Sequence, residues 1–375
     1  MLFNKKQNKY EKQILFVFLC VVLLISCHPS KKEYLRTFDL PLMKQTEKFC
    51  LLGNLNAGIS LNKQYLMIAD KEKYEPGKAT CYTNLALLNY YKGNYKNSLL
   101  FLQKADSILK NSDDMIHKAH LYNQYGMLNL LLLMGDIGHQ YFDKSLYCLK
   151  KSEDSETKQY LLQLVYINKS KVQGDSSLIY VHKARDIKKN VATEGMIAAL
   201  HFQKNELDST QIYLNNGIEI ANKEGFPNGN HGLLYLIAGM YYQKMHQYKN
   251  SEEAYQKSLK NFVATKETFG KNIQWIYLDL ANLYNETGDQ KREHQFRDLF
   301  YKEKEKFEED RAKTANLSTK TFIAAIKNEE KEGKNRIWLF IILSGILIIF
   351  ISFFVFRNLK RLQIKKKFHF MNCNS

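Results

Sequence analysis

Proline is scarce in this sequence, with four in 375 residues: Pro29, Pro41, Pro76 and Pro227. Residues 77–226 and 228–375 therefore lack the strongest helix breaker, and a collagen-like or wholly disordered chain is excluded. Cysteine is sparse too. Six are present, without C-x-x-C spacing, so neither a zinc site nor a full disulfide framework is indicated. Cys50, Cys81 and Cys148 read as buried free thiols, one disulfide among them being the lesser alternative. No Walker-type loop, G-x-S-x-G elbow, G-x-G-x-x-G run or H-E-x-x-H pair occurs. The chain thus reads as a non-enzyme, with no cofactor and no metal expected. Lone histidines such as His117, His201 and His246 read as helix-surface or packing residues. Adjacent acids such as Asp113-Asp114 and Glu252-Glu253 point to different helix sides, as solvated faces do.

Charge of one sign is in excess, at a formal +17, but unevenly. The first 13 residues hold +3 and the last 19 hold +6, leaving +8 for the long middle. Each basic end flanks an apolar run, so membrane topology accounts for much of the excess and nucleic-acid binding need not be invoked.

Those runs differ in length. Ile14–Ile25 is 12 apolar residues after a basic stretch, the size of a signal-peptide core. It ends in Leu24-Ile25-Ser26-Cys27, which resembles the lipobox of bacterial lipoproteins. That resemblance implies cleavage after residue 26 and a lipidated Cys27. Ile337–Phe356 is 20 residues without a charge, enough for a helix of about 30 Å. Six basic residues follow it, so the expected topology is a bacterial inner-membrane protein, its body periplasmic and its tail, 357–375, cytoplasmic.

Between the two runs, turn signals recur near every forty residues: Lys92-Gly93-Asn94, Met134-Gly135-Asp136, Lys204-Asn205-Glu206, Met245-His246-Gln247 and Thr287-Gly288-Asp289. Apolar residues at three–four spacing precede each, which predicts an array of helix hairpins. The clearest copy is Tyr235, Ala238-Gly239, Tyr242, His246, Tyr248, Ser251, Tyr255 and Ser258. A second is Tyr82, Leu85-Ala86, Asn89, Gly93, Tyr95, Ser98, Leu102 and Ala105. A third, Tyr277, Leu280-Ala281, Tyr284 and Gly288, degrades in its second helix at Glu293 and Arg297. These residues resemble the tetratricopeptide repeat, with weaker copies near Tyr122–Ser145, Tyr160–Ala184 and Ile197–Gly217. The small residues Ala105, Ser145, Ala184, Gly217 and Ser258 mark the register. The fold expected is all-α: a tetratricopeptide-like helical-hairpin solenoid over 80–300, after a degenerate helical region at 27–79. A charged stalk helix at 301–336 then leads to the transmembrane helix at 337–356, and offers a coiled-coil surface for a homodimer.

The resemblance implies a binding role rather than catalysis. It implies a concave groove for a protein or peptide and places Thr83, Tyr90, Asn123, Met240, Lys244, Asn282 and Asn285 on its inner face. The expected function is a membrane-anchored periplasmic scaffold, held through the Cys27 lipid and the span. The order of signal, repeats, stalk and span also resembles that of bacterial transmembrane sensors, which implies the alternative: the sensor portion of a one-component transmembrane transcriptional regulator or kinase, truncated before its output domain. Residues 357–375 are too few for such an output domain.

Overall fold

The computed structural model describes residues 30–305 except 173 and 175, and isolated positions 308, 312, 315 and 320. Cys27, the signal segment, the membrane span, the tail and nearly all of the stalk lie outside the described residues. Among the described residues no helix is long and apolar enough to cross a membrane. The chain divides into two units, 1–315 and 316–375, and everything below concerns the first.

The described residues are helical throughout, without a strand. A short helix α1 (Lys31–Tyr34) passes through a π-helical turn (Leu35–Asp39) into α2 (Leu40–Leu52) and α3 (Leu55–Lys71). Five hairpins follow: α4 (Glu75–Tyr91) with α5 (Tyr95–Leu109), α6 (Met115–Leu131) with α7 (Gly135–Lys151), α8 (Glu156–Lys169) with α9 (Ser177–Ile187), α10 (Val191–Gln203) with α11 (Leu207–Glu224), and α12 (Gly229–Lys244) with α13 (Tyr248–Ala264). A sixth joins α14 (Lys266–Glu286) to α15 (290–305). Polar caps start many of the inner helices. Asp114, Ser155 and Asn228 accept the N–H of His117, Lys158 and His231, and Asn190 forms a reciprocal capping box with Thr193.

The bends use a left-handed residue, and it is not always glycine. Gly93 and Gly288 have φ 79°, whereas Asn205, His246 and Leu133 take the same conformation at φ 55–61°. At the Met134-Gly135-Asp136 signal the bend therefore lies one residue early, on Leu133, and Gly135 opens α7 instead.

The repeat register reappears as packing. A Cβ on Gly126 would stand 2.5 Å from the ring of Phe142, and one on Gly239 would stand 2.4 Å from the ring of Tyr255. Both pairs are sixteen residues apart. The small residues do chemical work as well: the Ser145 hydroxyl donates to the Ala119 carbonyl at 2.7 Å and Ser258 to that of Gly232 at 2.6 Å, again at one offset. These two hairpins thus bury an aromatic against the notch of the partner helix, at about 1.5–3 kcal/mol per side chain. The last hairpin folds even though the motif degrades there. Phe296 stacks on Tyr284 at 5.6 Å and the Arg292 guanidinium covers the same ring at 4.0 Å, while Phe300 is buried.

The leading helices do not continue the array. The rod α1–α2 crosses the inner helices: Leu35 joins the core of Ile116, Leu161 and Val165, and Leu51 packs against that of Leu280 and Tyr284. At its end Gly53, at φ 75°, lies so close to Thr265 that a Cβ would come 2.9 Å from the Thr265 Cα. The end of α2 thus rests on the junction of α13 and α14.

Candidate binding chambers

The rod is fastened by buried charge. Asp39, fully buried, accepts hydrogen bonds from the Tyr74 hydroxyl at 2.6 Å and from the Thr80 hydroxyl at 2.7 Å. His117 lies between two acids, its Nε2 3.2 Å from Asp39 and its Nδ1 2.9 Å from Asp114, and Lys31 pairs with Asp114 at 3.3 Å. Burial opposes a charge on His117, but Asp39 and Asp114 outweigh it and raise its pKa to about 9. Burial likewise opposes a charge on Asp114, and His117 and Lys31 overcome it and hold that carboxyl far below the usual carboxylate range. His117 and Asp114 are therefore neither packing filler nor a solvated face, as their sequence context suggested. They tie the rod to α6. Two outer ties reach α8: Lys44 pairs with Glu156 at 2.5 Å, and the Tyr160 hydroxyl donates to Glu47 at 2.7 Å.

Between the rod and the inner helices α8, α10 and α12 lies a chamber of about 690 Å³. Lys44, Glu47 and Lys48 of α2 form one wall, Tyr160, Gln163 and Ile167 of α8 another, and Asn228, Asn230 and the half-exposed Phe226 stand at its far side. A smaller pocket of about 90 Å³ opens deeper, against α4 and α6, with Glu47, Leu51 and Tyr160 shared between the two. It holds three buried polar side chains with an unpaired atom, Asn84, His120 and Asn123. Burial, helped by the neighbouring His117 charge, lowers the His120 pKa to about 3, so its ring is neutral. An unmet buried donor costs about 1–3 kcal/mol, so this pocket is built to receive a polar group or water.

A third concavity of about 860 Å³ opens at the other end of α12. Met240, Lys244, Asn282 and Asn285 line it together, with Lys244 Nζ 5.6 Å from the centre of the Phe202 ring. Asp279 lines it too, and burial raises that carboxyl to about 7. The seven residues expected on one groove thus divide. Four share this cleft, and Asn123 lines the deep pocket. Thr83 is buried on α4 with its hydroxyl unpaired, and Tyr90 packs against the Phe142 core.

The sequence reading missed Glu47, Tyr160 and Asn84. Asn84 and Gln124 stand forty residues apart at equivalent places in the repeat, and both line the deep pocket. Buried amides recurring at the repeat spacing were the available signal. Glu47 had none, because the period does not reach a helix that crosses the array.

Cys50, Cys81 and Cys148 are free and buried, and burial raises each thiol. Among the described residues no group of three or more His, Cys, Asp and Glu could hold a metal ion.

No protein-family model matches the sequence, and no curated protein matches it. Solved structures do match the fold. A Rap protein complexed with Competence and Sporulation Factor superposes with a TM-score of 0.55 at 15% identity, over 72% of this chain and 77% of that one. The apo form of RapI gives 0.51 at 13%, over 72% and 98%. The apo quorum sensor NprR from B. thuringiensis gives 0.45 at 10%, over 79% and 94%. At such identities the first two show the architecture alone: this chain has a tetratricopeptide-like helical-repeat fold.

Proposed function

We propose that this chain is a membrane-tethered receptor that takes a peptide, or an extended segment of a protein, into the chamber behind α2, and performs no catalysis. The observation that carries the reading is the chamber itself: about 690 Å³, walled on one side by α2 and on the other by the inner helices of three successive hairpins. Its polar groups alternate with Leu51, Leu164, Ile167 and Val191, the mixture an extended chain with amides and side chains requires. The matched Rap protein, described as complexed with Competence and Sporulation Factor, supports a binding role for this architecture. A lipidated Cys27 and the span 337–356 are the proposed tethers, with the repeats in the periplasm.

Fluorescent hexapeptide libraries, titrated against the full chain in micelles, test the reading. Phe226→Ala alters an exposed ring at the chamber edge and should leave folding intact. Peptides retained by the wild type should bind this variant at least tenfold more weakly; equal binding would remove the chamber from the account. For the tether, incorporation of a palmitate analogue should disappear in Cys27→Ser, and labelling that persists would reject lipidation at that site.

A further inference from the structure

The deep pocket carries hydrogen-bonding groups that the protein itself does not use, and their sense can be worked out. The Lys171 ammonium only donates, and it lies 3.0 Å from Asn168 Oδ1. Asn168 must therefore turn its amide nitrogen outward, and that nitrogen donates to Asn123 Oδ1 at 3.1 Å. Asn123 in turn is left with a free amide N–H, fully buried. Asn84 adds a second unpaired amide nitrogen from α4. His120 adds an unpaired Nδ1 on a neutral ring, which holds one proton and one lone pair.

Met43, Leu87 and Met127 supply apolar wall, Gln124, Asn168 and Asn230 add further amides, and the charged residues of the lining are one of each sign, Glu47 and Lys171. At about 90 Å³ it is far larger than the ~10–15 Å³ one water needs, and of the size of one side chain. We propose that this pocket receives a primary carboxamide, the side chain of an Asn or Gln in the bound peptide. Its carbonyl oxygen accepts from Asn84 and Asn123, and its NH₂ group donates to the His120 ring or the Glu47 carboxylate. A carboxylate brings a charge and no donor, an ammonium brings no acceptor, and an aliphatic group leaves both asparagines unmet. That the carboxamide belongs to a peptide rests on the receptor reading above; the pocket's preference does not.

Saturation-transfer NMR on the full chain in micelles separates the two, with propionamide, propionate and propylammonium as probes at equal concentration. Propionamide should receive at least fivefold more saturation than either ion. Asn84→Leu fills the pocket, and Asn84→Ala removes the donor without adding bulk; neither strands a hydrogen-bond partner, and both should abolish the difference. Equal saturation of the three probes, or a propionamide signal unchanged in both variants, overturns the proposal. Peptides that bind with no preference for Asn or Gln would sink the pocket and spare the receptor. Propionamide selectivity without any peptide binding would do the reverse.

Discussion

Helix α12 contributes its first turn to the chamber and its last to the C-terminal cleft, and the two sites differ in what closes them. The chamber is covered by a second piece of chain, the rod α1–α2, held by buried ions. The cleft lies open between neighbours of the array, with nothing crossing it among the described residues. An open cleft follows from repeat stacking alone, whereas a covered chamber needs contacts between residues far apart in sequence, such as Lys44 with Glu156 and Gly53 with Thr265.

The largest way to break the contrast is Asp39→Ala. It strips a buried partner from His117, Tyr74 and Thr80, and should cost about 3–5 kcal/mol by urea unfolding. Hydrogen exchange should rise along α2 while the inner face of α14 stays protected; equal loosening of both would mean that chamber and cleft are one cooperative structure. Next comes pH. Because the folded His117 pKa is raised, its contribution is complete below about pH 6.5 and lost as pH climbs through about 9. The shift amounts to about 3 kcal/mol. The stability gap between wild type and His117→Gln should therefore shrink by about that much from pH 6 to pH 10, and a constant gap would deny the ion pair. Asp114 works in the opposite sense, its contribution being present above about pH 4 and lost in acid.

A smaller effect is expected from Gly53→Val, which forces a β-branched residue into a left-handed turn against Thr265. A loss of about 2–3 kcal/mol is expected, and Cys50, otherwise buried, should become reactive to a thiol reagent. The smallest belongs to the cleft. Burial raises Asp279 to about 7, so ionising it costs stability as pH rises from about 4 to 7. Asp279 is only partly buried, so solvent screens most of that cost, and Asp279→Asn should melt about 1–3 °C higher than wild type at pH 8 and no higher at pH 4, a gain of under about 1 kcal/mol. Equal melting at both would show that the carboxyl is solvated.

Much of the array was readable from local pattern. Gly93 and Gly288 marked their bends, and Ser145 and Ser258 the register. Leu133 defeated the turn reading because packing of α6 on α7 overrides its dislike of the left-handed region. The last hairpin was undervalued for a related reason: Glu293 and Arg297 spoil the motif, yet Phe296 and Phe300 keep the helical period and supply the buried surface. The rod was beyond such reasoning. Periodicity says that 40–52 is a helix, but not that it turns across the array, because the deciding contacts join Asp39 to His117 and Leu51 to Leu280. Four of the seven groove residues, Met240, Lys244, Asn282 and Asn285, fell together because they sit on adjacent inner helices, where the repeat alone sets position.

A stack of hairpins ordinarily peels from its ends, each unit answering only to the next. Gly53 seated on Thr265 removes that freedom, since the leading segment cannot lift without disturbing helices more than two hundred residues later. A pull on the leading segment would therefore be felt near residue 265 as well as at its own neighbours, a long-range tie that nearest-neighbour stacking does not supply.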